Sequence, residues 1–139
     1  MKIYFSCSIS GGRKYLKTNK QIVSYLKKLD FNVLTEHIVT TNIFDLEKQH
    51  SAEYVFERDI KWIDDCHAVI AEVSNPSLGV GYEICYALTI GKPVLCLYDK
   101  EIFLSRMITG NTMSGIIVES YSNSEWQEQI EKFIKKINT

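Results

Sequence analysis

Two carboxylic acids stand out as candidates for chemistry. Glu83 follows Gly79 and Gly81 near the start of a predicted helix, where the helix dipole favours an ionised carboxylate and the glycines leave room for a ligand. Asp59 falls in the apolar stripe of another predicted helix, and a carboxylate there must be paired, reach solvent or shift in pKa. Two carboxylates at one edge of a sheet could cleave a glycosidic bond, one attacking the anomeric carbon and the other donating and accepting protons.

Each candidate also has an ordinary structural explanation. Acids in a first helical turn are common for capping reasons alone, and Asp59 could pair with Arg58, Lys61 or a backbone amide at the margin of the core. Tyr4 could reach the same cleft from the first strand, although most strand tyrosines serve packing. His37, at the end of the predicted second strand, could face a nucleobase or simply lie at the surface. Residue types alone leave these alternatives open.

The first loop of the chain could receive a phosphate. It joins a predicted strand to a helix, whose N-terminal amides are unsatisfied and carry partial positive charge. It offers hydroxyls, small residues and a cation, although SerGlyGly is also typical of an ordinary turn. The residues concerned are Ser8, Ile9, Ser10, Gly11, Gly12 and Arg13. Ser77 would add a hydroxyl from the loop before Glu83.

The elements that must position these residues alternate between strands and helices. The predicted strands are KIYFSCSI, FNVLTEH, HAVIAEV, VLCLY and GIIVESY, and the predicted helices are Tyr15–Leu29, Ala52–Cys66, Val80–Ile90 and Trp126–Ile137. Thr40–Ser51 lacks a clear period and is predicted to be a mobile loop. The expected fold is a three-layer α/β sandwich with a five-stranded parallel sheet, flavodoxin-like or Rossmann-like. Ligands should bind at the carboxyl ends of strands one, three and four.

Composition indicates a single globular domain spanning residues 1–139. The chain is 45% hydrophobic and 24% charged, with a net charge of −1, so no broad field for a nucleic acid polymer is expected. No segment resembles a signal peptide or a membrane span, and we expect a cytoplasmic protein. The four cysteines are well separated and lack a CxxC pair, which predicts reduced, buried thiols and no metal site.

Several segments in order resemble the 2′-deoxynucleoside 5′-phosphate N-hydrolase family, a branch of the nucleoside 2-deoxyribosyltransferase superfamily. They are YFSCSISGGR, VLTEH, RDIKWIDDCHAVIAEVSNPSLGVGYE, GKPVLCLY and LSRMITG, from about Ile3 to Gly110. The resemblance implies a homodimeric enzyme without metal or cofactor. It would split a 2′-deoxynucleoside 5′-monophosphate into free base and 2-deoxyribose 5-phosphate.

The resemblance also implies roles for individual residues. Glu83 corresponds to the nucleophile that forms a glycosyl-enzyme ester, Asp59 to the carboxylate that assists departure of the base, and Tyr4 to a tyrosine beside the sugar. His37 would lie on the base side. Hydroxyls around the 5′-phosphate would come from Ser8, Ser77 and Ser105, with Ser105 completing the neighbouring subunit's site. Gly79 and Met107 are further expected substrate contacts.

The chain departs from the family pattern in its first loop. Ser10 stands where the family commonly has an arginine, and Cys7 replaces a glycine, so Arg13, Lys14 or Arg106 is the expected compensating cation. The phosphate requirement is therefore left open, as are base preference and physiological role.

Two other functions are weighed beside hydrolysis. A deoxyribosyltransferase would form the same ester but pass the sugar to a second base, and a catalytically silent nucleotide-binding module could share the scaffold. Tyr4 predicts a preference for deoxyribonucleotides, because its bulk can leave no room for a 2′-hydroxyl.

Overall fold

A parallel five-stranded sheet forms the centre of the molecule. The structure is a computed structural model that describes residues 1–9 and 13–139. The strands are β1 (Lys2–Cys7), β2 (Asn32–Val33), β3 (Ala68–Glu72), β4 (Val94–Asp99) and β5 (Ile116–Tyr121). They lie in the order β2-β1-β3-β4-β5, and every neighbouring pair is parallel. This is the flavodoxin-like order, so the predicted fold class is confirmed, and the switch point lies between β1 and β3.

Helices follow the strands along the chain and cover both faces of the sheet. The helices are α1 (Leu16–Lys28), α2 (Ile43–Glu47), α3 (Ala52–Asp65), α4 (Leu78–Thr89), α5 (Arg106–Thr109) and α6 (Trp126–Ile137). Four of them correspond to the predicted helices, while α2 and α5 were not predicted. Among the described residues, no helix is long and apolar enough to cross a membrane.

Two apolar clusters, one on each face of the sheet, hold these layers together. Ile3 and Phe5 pack with apolar residues of α1 and α6, whereas Tyr4 packs with residues of α3 and α4. Alternate residues of a strand point to opposite faces, so the alternation along β1 decides which side chains meet which helices. Tyr4 and Ser6 consequently project toward α3 and α4, the helices that carry Asp59 and Glu83.

The second strand is much shorter than predicted. Only Asn32 and Val33 pair with β1, after which the hydroxyl of Thr35 bonds both the amide and the carbonyl of Phe5, at 3.0 and 2.6 Å. The side chain thereby replaces backbone pairing, and the chain turns into a 3₁₀ helix over Glu36–Val39. His37 therefore lies in that helix rather than at the end of a strand.

The predictions for Thr40–Ser51 and for one cysteine were wrong. The polar segment contains α2, which is anchored by Ile43, a residue with no exposed surface. A single buried isoleucine is too weak a periodic signal to indicate a helix from sequence. All four cysteines are free, but Cys85 is exposed, because its position on α4 faces away from the sheet.

Candidate active site

A cleft of about 740 Å³ opens beside the carboxyl end of β1 and the start of α4, the helix that follows β3. Its walls come from β1, the 3₁₀ helix, α2, α3 and the N-terminal half of α4. Seven of the predicted site residues line it, namely Tyr4, Ile9, His37, Asp59, Ser77, Gly79 and Glu83. The structure thus brings together the two carboxylates and the tyrosine that were separated by up to 79 residues in sequence.

Glu83 is held against the end of β1 by hydroxyl groups. Its Oε2 accepts a hydrogen bond of 2.5 Å from the Oγ of Ser6, and it also interacts with the hydroxyl of Tyr4. Burial raises the pKa of Glu83 to about 7, the negative charge of Asp59 adds to that rise, and the bonds from Ser6 and Tyr4 oppose it. The carboxyl can therefore exchange between ionised and protonated forms near neutral pH.

The helix dipole contributes less to Glu83 than the sequence suggested. Helix α4 begins at Leu78, two residues before the predicted start, and its first turn contains no acidic residue. Glu83 lies in the second turn, where the field of the helix end has largely decayed. Burial is therefore the largest cause acting on the pKa of Glu83, and it disfavours the ionised form.

Tyr4 is almost completely buried beneath the two carboxylates. Burial raises the pKa of its hydroxyl, and the charges of Glu83 and Asp59 raise it further. The phenol consequently stays protonated and can serve as a hydrogen-bond donor at any ordinary pH.

Asp59 has the cation that its position on an apolar stripe required. Its Oδ1 accepts a hydrogen bond of 2.9 Å from the Nε of Arg58. Burial raises the pKa of Asp59, whereas the guanidinium lowers it. The ion pair with Arg58 considered from the sequence is thus present, and Asp59 also lines the cleft.

One wall of the cleft combines ionic and aromatic groups. The Nε2 of His37 lies 3.1 Å from Oε1 of Glu47, which also accepts from Nη2 of Arg58 at 3.1 Å. The rings of His37 and Trp62 are tilted, with centroids 5.6 Å apart. Phe44, Val55 and Phe56 add apolar surface to the cleft. A flat, partly apolar group with polar edges fits such a wall.

Ser77 and Gly79 shape the loop where α4 begins. Ser77 is the N-cap of α4, and its hydroxyl accepts from the amide of Val80 at 3.3 Å. A Cβ on Gly79 would lie 3.9 Å from the Oγ of Ser77, an ordinary contact, so Gly79 is not required by protein packing at this point.

The first loop is represented only at its two ends. Ser8 is buried and Ile9 lines the cleft, while Ser10, Gly11 and Gly12 lie outside the described residues. Arg13 donates from Nη2 to the carbonyls of Ile38 and Thr40, at 3.0 and 3.1 Å. Arg13 therefore fastens the chain after the 3₁₀ helix, and its Nη1 is buried without a partner among the described residues.

Ser105 and Met107 lie apart from the described walls of the cleft. Ser105 is an exposed N-cap of α5, and its hydroxyl accepts from the amide of Met107 at 3.3 Å. Met107 and Phe103 are more than four-fifths exposed. Neither Ser105 nor Met107 reaches the cleft of its own chain.

Sequence reasoning missed three polar residues of the site. A serine in a strand carries no signal of its own, and Ser6 gains its role only when α4 packs against β1. Glu47 was placed in a loop, and Arg58 was considered only as a neutralising partner. The alternation of β1 could have identified Ser6, because it shares a face with Tyr4.

The chain matches the family profile described as nucleoside 2-deoxyribosyltransferase over residues 3–138. The chain belongs to the nucleoside 2-deoxyribosyltransferase family. Its resemblance to the 2′-deoxynucleoside 5′-phosphate N-hydrolases is confirmed by proteins from two archaea that carry that name provisionally. The one from Methanococcoides burtonii is 38% identical over 118 residues, covering 85% of this chain and 97% of the relative. The one from Thermofilum pendens is 40% identical over 134 residues, covering 95% and 92%.

A mammalian relative and a solved structure extend the comparison. The 5-hydroxymethyl-dUMP N-hydrolase of Rattus norvegicus is 35% identical over 138 residues, covering 96% of this chain and 84% of the relative. The structure of the CMP N-glycosidase of Clostridium botulinum superposes with a TM-score of 0.69 at 17% identity, covering 94% of this chain and 99% of that one. The second likeness establishes the shared fold.

Proposed function

We propose that this protein hydrolyses the N-glycosidic bond of 2′-deoxynucleoside 5′-monophosphates, releasing the free base and 2-deoxyribose 5-phosphate. The observation that carries the proposal is the buried carboxylate of Glu83, which faces a cleft of nucleotide size and is held by Ser6 and Tyr4. Relatives named as nucleotide N-hydrolases support the same reaction class.

In the proposed first step, the ionised carboxylate of Glu83 attacks the anomeric carbon of the sugar. The electron pair of the C–N bond leaves with the base, and protonated Asp59 donates its proton to the departing base and is left as a carboxylate. The hydroxyls of Ser6 and Tyr4 keep the carboxylate of Glu83 oriented toward the sugar.

In the second step, water attacks the anomeric carbon of the glycosyl-Glu83 ester. The C–O bond to the enzyme breaks, Glu83 regains its negative charge, and a proton from the water passes to a nearby base such as Asp59. The sequence predicts a preference for deoxyribose, and the bulk of buried Tyr4 beneath the carboxylates supports that preference.

The 5′-phosphate side of the proposed site includes residues from two subunits. Ser8, Ser77 and the first loop would bind the phosphate in one subunit, and Ser105 of a second copy would complete the site. The exposure of Ser105, together with the exposed apolar side chains of Phe103 and Met107 beside it, favours burial against a partner. We propose a homodimer on this basis, acting in the cytoplasm without a cofactor.

Release of free base from a panel of deoxynucleoside monophosphates tests the reaction. Wild-type protein should release base from at least one of them, with a slower rate on the matching ribonucleotide, and Glu83→Gln should lose activity about a thousandfold or more. The unphosphorylated nucleoside measures the phosphate contribution. Equal activity of Glu83→Gln and wild type would contradict the proposal, and exchange of an added base without net hydrolysis would indicate transfer instead.

Mixing two inactive variants tests the shared site. Glu83→Gln and Ser105→Glu would each impair a homodimer, the second by placing a negative charge against the phosphate. A mixed dimer contains one site with native Glu83 and native Ser105, so mixing should recover activity. Absence of recovery in a mixture shown to contain mixed dimers would contradict a role for Ser105 across the interface.

A further inference from the structure

Arg58 is bonded to its chain neighbour in a way that helix geometry does not favour. Consecutive residues of a helix point about 100° apart, so side chains at i and i+1 do not normally face each other. Arg58 and Asp59 nevertheless share a hydrogen bond of 2.9 Å from Nε to Oδ1. Some other contact must therefore turn the arginine side chain back along α3.

Glu47 and two aromatic rings provide that constraint. The Nη2 of Arg58 donates to both carboxylate oxygens of Glu47, at 3.1 and 3.3 Å. The guanidinium lies 4.8 Å from the ring centre of Trp62 and 5.9 Å from that of Tyr54, one helical turn away on either side. Glu47 thus holds the Nη2 end of the guanidinium and the two aromatic rings contact its plane, which leaves Nε to donate to Asp59.

The same arginine forms an ion pair with Asp59, one of the two carboxylates of the proposed reaction. Groups that face Asp59 are Arg58 on its own helix, Glu47 on α2, His37 on the 3₁₀ helix, and Glu83 and Tyr4 across the cleft. Two of these five, Glu47 and Glu83, can be anionic, Arg58 is a fixed cation, and the hydroxyl of Tyr4 stays protonated. The side chain of Arg58 is only 14% exposed, so its charge is weakly screened by solvent.

We propose that Arg58 is a positioning residue of the active site, which orients Asp59 and is itself held in place by Glu47 of α2. The inference rests on the proposed role of Asp59. It assigns α2 a function as well, because Glu47 of α2 is connected to Asp59 through the guanidinium of Arg58. Substrate that shifts α2 would thereby shift Asp59.

The charge of Arg58 makes the contact measurable without any catalysis. The guanidinium lowers the pKa of Asp59 against the effect of burial, so removing it should raise that pKa. Carbon-13 NMR of labelled aspartate side chains reports each titration directly. The signal of Asp59 is identified by its absence in Asp59→Asn.

Four proteins compared by this titration and by steady-state kinetics test the proposal. Arg58→Gln should shift the titration of Asp59 to higher pH and lower kcat roughly tenfold, with a smaller change in KM. Arg58→Lys keeps the positive charge and should return the pKa of Asp59 toward its wild-type value. It should recover kcat only in part, because lysine lacks the guanidinium that bonds Asp59 and Glu47 together. Lys132→Gln, which breaks an exposed pair with Glu128 on α6, is the matched control and should change neither quantity.

Glu47→Gln separates the anchor from the charge. It keeps the charge of Arg58 but weakens the contact between its Nη2 and residue 47, so kcat should fall less than in Arg58→Gln. The losses of kcat should not add when both substitutions are combined.

The outcomes distinguish this proposal from the proposed reaction. An unchanged Asp59 titration in folded Arg58→Gln would overturn the positioning role, as would a shifted titration with unchanged kcat. A shifted titration in a protein whose wild type releases no base would instead overturn the hydrolase and leave the Arg58–Asp59 contact standing.

Discussion

Glu83 and Asp59 differ chiefly in what neutralises their charge. Burial raises the pKa of both carboxyl groups, but Asp59 has the guanidinium of Arg58 beside it, whereas the donors to Glu83 in the described part of the chain are the neutral hydroxyls of Ser6 and Tyr4. The pKa of Glu83 consequently lies at about 7. A nucleophile must be ionised to attack, so its titration should appear in the reaction.

The value of kcat/KM should therefore decrease as the pH falls below about 7, because Glu83 becomes protonated. In Asp59→Asn the negative charge that raises the pKa of Glu83 is gone, so this acid limb should move to lower pH in the residual activity. Rate profiles of wild type and Asp59→Asn from pH 5 to 9 measure the shift. A limb at the same pH in both proteins would contradict the coupling of the two carboxylates.

Among individual residues, the sequence could identify those whose types are chemically unusual in their setting. Asp59 on an apolar stripe and Glu83 after two glycines could be identified, and the resemblance gave each a role. Glu47 could not, because its importance depends on which elements pack together, and Ser6 could be reached only through the strand face that it shares with Tyr4. A serine in a strand has many ordinary uses, and the structure alone places it on Glu83.

At the scale of elements, the loop before α4 has two uses that can be separated. The hydroxyl of Ser77 caps the helix and also lines the cleft where a phosphate is proposed. A cap satisfies an amide that otherwise lacks a partner, which stabilises the folded protein. The same hydroxyl can donate its proton to an anion while it accepts from Val80.

Substitutions of Ser77 distinguish these uses. Ser77→Ala should lower the free energy of unfolding by about 1 kcal/mol and raise KM for the nucleotide. Ser77→Asp keeps a good cap but repels a phosphate, so stability should be retained while KM rises more. The unphosphorylated nucleoside is the control, since its KM should not respond to the aspartate. Unchanged nucleotide KM in both variants would show that Ser77 is only a cap.

Long periodic elements could be predicted and short ones could not. The apolar run of β3 and the amphipathic pattern of α6 agree with the structure within a residue or two. The predicted β2 was too long, because Thr35 continues the contact with β1 through its side chain, which no periodicity indicates. Helix α2 has five residues and one fully buried anchor, so its sequence looks like a loop.

For the whole molecule, a buried carboxyl with a pKa near neutrality costs stability. The folded pKa of Glu83 is about 7, against an ordinary value of 4.5 for the unfolded chain. Because the folded state binds this proton more tightly, the contribution to stability is present below pH 4.5 and is lost as the pH rises through 7. Above pH 7 the folded protein retains an ionised carboxyl that would be better solvated in the unfolded chain.

Glu83→Gln should therefore raise the free energy of unfolding at pH 8 by up to about 3 kcal/mol, although it removes activity. The gain should shrink toward pH 4, where the native carboxyl is protonated in both states. Urea unfolding at several pH values measures it, with Glu101→Gln at an exposed position as the control. A pH-independent difference between Glu83→Gln and wild type would contradict the raised pKa.

The proposed covalent role of Glu83 is tested most directly by mass spectrometry of protein quenched during turnover of a deoxynucleoside monophosphate. The account predicts a 2-deoxyribose 5-phosphate adduct on the peptide that contains Glu83, formed with release of the base and absent from Glu83→Gln. Base release at wild-type rate by Glu83→Gln, or steady turnover with an adduct on a different residue, would contradict it.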